Sequence, residues 1–285
     1  MKKLVVMATL LTACNACGAP QAKPLETELA KKIEKAEPVT PTESAASAET
    51  EAPKVMFDHS AYDALLKANV NMESGRVDYK GLLASRATLD AYTKSIAEVD
   101  FNAFGSDAKF AILVNAYNAY TLTLILDNYG KIKSIRDLKD PWGSKNYVVG
   151  GETVSLDNIE HNLLRPIFKD PRIHFAVNCA SIGCPPLADF AFTADKLQQQ
   201  LDTVTFGALK NPRYAKVEGD TLVLTSIMKW YGEDFSKEGW APRAESVAEF
   251  AGIYGSEDVK ALVAKKGGKT TVSFGDYDWN LNDIE

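Results

Sequence analysis

The chain has 285 residues, 46% of them hydrophobic and 25% charged, the composition of a globular protein, which excludes wholesale disorder, collagen and coiled coil. Its 32 basic residues against 38 acidic ones give a formal net charge of −6, which supplies no footprint for nucleic acid and no polybasic face for anionic lipid. The partners left are small molecules, peptides or glycans.

In chain order, Met1, Lys2 and Lys3 precede an apolar run from Leu4 to Leu11, the charged and hydrophobic regions of a secretory signal. The run is too short to span a bilayer. It leads into Leu11-Thr12-Ala13-Cys14, which resembles the lipobox of bacterial lipoproteins, whose cysteine is acylated and becomes the first residue. Residues 1–13 are then the signal peptide and Cys14 the lipid anchor; the alternative is a plain signal cleaved near Ala19. Asn15 is not the aspartate associated with inner-membrane retention, so the resemblance implies an outer-membrane lipoprotein of the bacterial envelope, facing the periplasm or the cell surface. Its membrane contact would be the N-terminal anchor only. Residues 14–55 contain no aromatic residue and are rich in Ala, Glu, Lys, Pro, Thr and Ser. Such a segment buries too little apolar surface to offset its ordering entropy, so it is expected to be a disordered tether, with an isolated helix over residues 27–35 as the local alternative.

Residues 56–285 are expected to form one domain. Ser60 can cap a helix to Val70, and Leu82, Leu89 and Ile96 at heptad spacing predict a helix from Leu82 to Ala97. Ser106 opens the longest candidate, Asp107 to Asn128, apolar on nearly all sides and so destined for the centre. Tyr147–Val149 and Glu152–Val154 flank Gly150-Gly151, a hairpin signal. Ser155 can cap a helix carrying Glu160 and His161. Ile173 to Val177 is a short apolar run that predicts a buried strand. A helix from Thr193, a hairpin about Gly219-Asp220, short helices from Ser226 and Ala244, and a late strand Thr271–Phe274 complete a single mixed α+β domain. A long helix followed by strands is loosely similar to papain-like and transglutaminase-like folds, although their nucleophile sits where this chain has Ser106 and Asp107.

No dinucleotide fingerprint, P-loop, GxSxG elbow, HExxH or EF-hand loop is present, so no cofactor is expected. The segment densest in chemistry is Asp170 to Pro186, with His174, Asn178, Cys179 and Cys184. Upstream, Glu160 lies beside an apolar stripe, and His161 joins Asp157 and Arg165 at i, i+4 spacing, a row read as a solvated face. His59, ahead of the first helix, is most simply exposed.

These residues carry a resemblance. Phe110 to Thr121 with its Asn-Ala-Tyr-Asn core, Ser134 to Leu138, Pro141-Trp142, Ser155 to Arg165, Asp170 to Pro186, Lys229-Trp230-Tyr231 and Tyr277 to Asp283 are similar to the domain-of-unknown-function family five hundred and forty-seven. The family occurs in bacterial exported proteins and in plant proteins and has no settled activity. Leu113 departs from the tryptophan usual in bacterial relatives. In plant relatives the counterpart of Cys184 is often serine while that of Cys179 stays cysteine, which implies that Cys179 is more than half of a disulfide.

Four readings stay open. An exported chain with two domain cysteines often pairs them, which makes Cys179 and Cys184 a structural disulfide. A thiol hydrolase or acyl-transferase on amide or ester bonds would use Cys179 as nucleophile and His174 as base, supported by Glu160 and Asn178, or His161 with Glu160 in the alternative arrangement. A metal site is disfavoured, because no pair has recognised zinc-ligand spacing. A non-catalytic envelope binding domain would point Asn115 and Asn118 into a pocket, with Arg165 as an anion partner; both asparagines can equally satisfy buried loop backbone.

Overall fold

Residues 28–34 and 56–284 are described by a computed structural model. The helices in chain order are α1 Glu28–Glu34, α2 Ser60–Asn69, α3 Tyr79–Ala84, α4 Arg86–Ala97, α5 Ser106–Asn128, α6 Asn158–Phe168, α7 Ile173–Ala176, α8 Leu197–Lys210, α9 Ser226–Trp230, α10 Val247–Tyr254 and α11 Glu257–Lys266. The strands are β1 Val70–Asn71, β2 Arg76–Val77, β3 Tyr147–Val149, β4 Glu152–Val154, β5 Ala215–Glu218, β6 Thr221–Leu224 and β7 Thr271–Phe274. The result is a mixed α+β fold with small sheets.

Every residue of α5 from Ala108 to Leu122 is buried, as its all-round apolar sequence requires. It packs against α3, α4 and α6. Length and composition alone would let it cross a membrane, but most of it lies inside the domain, so it is the core helix. The single helix expected from Leu82 breaks at Ser85, which ends α3 and opens α4; Leu82, Leu89 and Ile96 still face the core. The hairpin β3–β4 turns on Gly150 and Gly151, whose φ values of 58° and 83° are the left-handed pair that a two-residue hairpin needs. β5 and β6 pair antiparallel, and β7 joins β6 in parallel register.

Three expectations need correction. Residues 173–176 are helical turn α7, not strand. Asp170 accepts the Arg172 N–H at 2.9 Å and Pro171 lies between them, so an Asx turn with proline just ahead of the helical turn outweighs a short apolar run. Buried Arg172 is paired with Asp170 at 2.6 Å and with Asp202 at 2.8 Å, which fixes the turn that carries His174.

Over residues 28–34 the chain takes the local alternative to the tether, a helix, but not an isolated one. Helix α1 docks Leu29 and Ile33 against α6 and the turn Phe101–Ala103, leaving them 1% and 2% exposed. Buried Lys109 donates through Nζ to Lys32 O at 2.7 Å and Ile33 O at 3.3 Å, so it satisfies end carbonyls and sets a cation at the helix C-terminus. The signal peptide, Cys14 and the rest of the tether lie outside the described residues.

His59 is buried, not exposed. Its Nδ1 lies 2.7 Å from the Tyr92 hydroxyl and 3.1 Å from Asn115 Nδ2, and the amide can only donate, which leaves the ring proton on Nε2. Burial lowers its pKa to about 4. The folded value lies below the ordinary 6.5, so between the two the unfolded chain binds the extra proton. Stability is therefore whole above about pH 6.5 and falls as pH drops toward 4, by on the order of 3 kcal/mol. Urea midpoints against pH should show this fall, with buried His174 adding in the same direction, and His59→Gln should make it shallower; equal slopes in both chains would refute the assignment.

Candidate active site

The first residues of the buried segment after α7 have their backbone satisfied by side-chain amides. Asn118 on α5 donates through Nδ2 to Ala176 O at 2.9 Å and accepts the Asn178 N–H at 2.8 Å. Asn178 repeats the device inside the loop, donating to Pro185 O at 2.8 Å and accepting the Ala180 N–H at 2.8 Å. Ala180 sits at φ 60°, a left-handed conformation that costs a non-glycine residue about 1–2 kcal/mol. The strain falls directly after Cys179.

The far side of the loop is held by residues 277–282. The Ile182 N–H donates to Asn280 O at 2.9 Å, the Gly183 N–H to Asp278 O at 2.8 Å, and the Asn282 N–H to Ala180 O at 3.3 Å. A Cβ on Gly183 would meet Asp278 N at 2.7 Å and Tyr277 Cγ at 2.9 Å, so only glycine lets this strap approach. Tyr277 is thereby set with its hydroxyl 2.9 Å from Cys179 Sγ, and Ser181 Oγ stands 3.2 Å from the same sulfur.

Cys179 opens into a cavity of about 440 Å³, a size ordinary for a small-molecule site. Glu160, His161, His174 and Cys184 line it too, as do Trp142, Trp230 and Trp279. The Cys184 thiol, hydrogen-bonded to Cys179, lowers the Cys179 pKa; burial opposes this, and the Ser181 and Tyr277 hydroxyls lower it further. Burial first, then the neighbouring Cys179, pushes Cys184 well above the usual thiol range. The two thiols are thus shifted in opposite directions, Cys179 toward easier ionisation and Cys184 away from it. The disulfide is not formed in the structure: both cysteines are free, and the Cys179 N–H donates to Cys184 Sγ at 3.2 Å.

His174, 2% exposed, stacks on Tyr231 with centroids 4.1 Å apart. Its Nε2 lies 2.8 Å from Asp234 Oδ2. Burial raises the Asp234 carboxyl, but hydrogen bonds from His174 and Arg165 outweigh it and bring the pKa to about 2. Asp234 therefore accepts, and the imidazole proton sits on Nε2. Burial lowers the His174 pKa despite that carboxylate, so the ring is neutral and Nδ1 carries the lone pair, 3.9 Å from Glu160 Oε1. Asp234 lies in the turn Gly232–Phe235, 60 residues from His174, and no local motif marks it.

Helix α6 is wound as a π-helix, a form recurrent at functional sites, and presents the adjacent Glu160 and His161 to the same cavity. His161 is buried and lines the cavity with Asp157, so the row read as a solvated face is not one, although Arg165 stays outside the cavity wall. Arg165 Nη1 donates to His161 Nδ1 at 3.1 Å, and His161 Nε2 lies 3.7 Å from Asp157 Oδ1. Arg165 also grips Asp234 with two bonds of 2.7 and 3.0 Å, which commits it to the protein rather than to a ligand. Asn115 is likewise committed, clamping both backbone groups of Phe192 at 2.8 and 3.0 Å. Neither Asn115, Asn118 nor Asn178 lines the cavity; all three build the walls behind it. Sequence reasoning placed Cys179, His174, Glu160 and His161 together and missed Asp234, Tyr277 and Ser181.

Residues 101–206 match the family model described as Protein of unknown function, DUF547, so the chain carries a domain of this family over those residues. The match takes in α5, α6 and the cysteine loop and stops short of Asp234 and Tyr277. No curated protein and no solved structure matches the chain, and no papain-like or transglutaminase-like neighbour is found.

Iodoacetamide labelling of the native protein against pH should show Cys179 reacting below the ordinary thiol range and Cys184 protected. Tyr277→Phe removes one donor and should move the Cys179 midpoint upward. Equal labelling of both cysteines with one ordinary midpoint would contradict the division of roles.

Proposed function

We propose that the protein is a thiol hydrolase or acyl-transferase acting on amide or ester bonds in the bacterial envelope, with Cys179 as nucleophile. The observation that carries this reading is that a thiol supplied with hydrogen-bond donors and a buried Asp234–His174 pair with its free nitrogen lone pair open into one cavity. As sulfur bonds to the carbonyl carbon, Cys179 gives its proton to His174 Nδ1. The imidazolium, held at Nε2 by Asp234, returns that proton to the leaving nitrogen or oxygen. Water, or an acceptor in the transferase case, then attacks the thioester; His174 takes its proton and passes it to the departing sulfur. The location rests on the lipobox-like Leu11 to Cys14.

A non-catalytic binding domain is the second reading, favoured by the tryptophan-lined wall. The residues it assigned to a ligand, Asn115, Asn118 and Arg165, are engaged by the protein itself.

A panel of activated esters and peptide anilides tests the proposal. Cys179→Ala should abolish turnover with little change in melting temperature. His174→Ala should lower kcat by roughly 10²–10⁴-fold while Cys179 stays open to alkylation. Turnover that survives in Cys179→Ala would overturn the reading.

A further inference from the structure

Glu160 is a buried acid in the cavity that the thiol chemistry leaves unexplained. Its side chain is 8% exposed, and what surface it has faces the cavity. Among the described residues no hydrogen-bond donor reaches it. The nearest basic atoms are His161 Nδ1 at 3.8 Å and His174 Nδ1 at 3.9 Å. Both are acceptors: Arg165 donates to the first, and the second is the lone-pair nitrogen of a ring whose proton is on Nε2 toward Asp234. A carboxyl nine-tenths buried and faced by two acceptors turns its remaining surface to the cavity, where a donor from a ligand can reach it.

The surroundings say what kind of donor fits. Asp140, Asp157 and Glu160 supply carboxyls to the cavity wall, and Arg136 alone among the lining residues carries a permanent positive charge. That guanidinium lies over the Trp279 ring, 5.1 Å from its centroid, so a ring of this wall already faces a cation. Tyr231 likewise carries Arg165 at 4.9 Å on its ring. Acidic groups set among electron-rich ring faces match a group that is both cationic and rich in N–H.

We infer that the cavity recognises its ligand through a primary ammonium group, seated against the Glu160 carboxyl and bounded by the aromatic wall, which leaves the His174 Nδ1 lone pair to the thiol. The inference names the substrate class of the site proposed above and uses the same cavity, but it is read as binding and needs no turnover. The amine belongs either to an alkyl chain, as in a lysine-like side chain, or to an amino sugar.

Tryptophan fluorescence of the full chain reports on the site, because three of the four tryptophans line the cavity. Titration at pH 7 with n-butylammonium, n-butanol and butyrate compares one shape with three charges, and glucosamine beside butylammonium separates the two amine sources. The expected result is saturable quenching by an amine at least about tenfold tighter than by butanol or butyrate. Glu160→Gln should erase that preference and Glu160→Asp should keep part of it. In the unsubstituted chain the amine should also slow iodoacetamide labelling of Cys179 where butanol does not, a readout independent of any variant. Equal affinities, tighter butyrate, no saturable response, or a Glu160→Gln chain that keeps the preference would overturn the inference. A chain that prefers the amine yet turns over no ester or amide overturns the hydrolase reading alone; turnover without the preference overturns this one alone.

Discussion

Burying irregular backbone is the constraint on which the rest of this structure depends. Around α5 the chain runs through segments that are neither helix nor sheet, and their N–H and C=O groups must find partners out of water. Asparagine side chains supply them by imitating a peptide unit, one donor and one acceptor side by side. Asn115 does so for Phe192, Asn118 for Ala176 and Asn178, and Asn178 for Pro185 and Ala180. An apolar helix with two amides in it thus acts as the pegboard on which the active loop is mounted.

The ionisable groups are arranged around the same constraint. Asp234 is buried, and it stays charged because a guanidinium and an imidazole N–H both point at it. That pair fixes which nitrogen of His174 faces the cavity, and so which atom can take a proton. Cys179, by contrast, is served by uncharged donors, a thiol and two hydroxyls. Because no cation neutralises the sulfur, its chemistry is set by hydrogen bonds whose geometry comes from the loop and the strap.

The legible part of the sequence was the part written in local patterns. The central helix was readable because Phe110 to Leu122 is apolar on every side, and the β3–β4 turn because Gly150-Gly151 admits left-handed backbone. Ile173 to Val177 was misread because apolar content was weighed above the Asp170-Pro171 turn signal beside it. The helix over residues 27–35 is legible as a local alternative but its docking is not, because Leu29 and Ile33 look too few to dock and the partners that make them sufficient lie in α6 and near Phe101. In the site, Cys179, His174, Glu160 and His161 could be gathered because they crowd into two segments. Asp234 and Tyr277 reach them only through tertiary folding, and an acid or a tyrosine far along the chain carries no mark of its destination.

The strap at residues 277–282 has a consequence in time. Tyr277 lies 98 positions beyond Cys179, so the sulfur's environment depends on a long-range closure, which is entropically costly and slow to form. Until the strap docks, Cys179 is an ordinary cysteine with a strained neighbour and half a wall. A chain whose last residues are not yet in place therefore lacks the hydroxyl that faces the Cys179 sulfur. Docking of residues 277–282 against Gly183 is the step that completes the sulfur's surroundings.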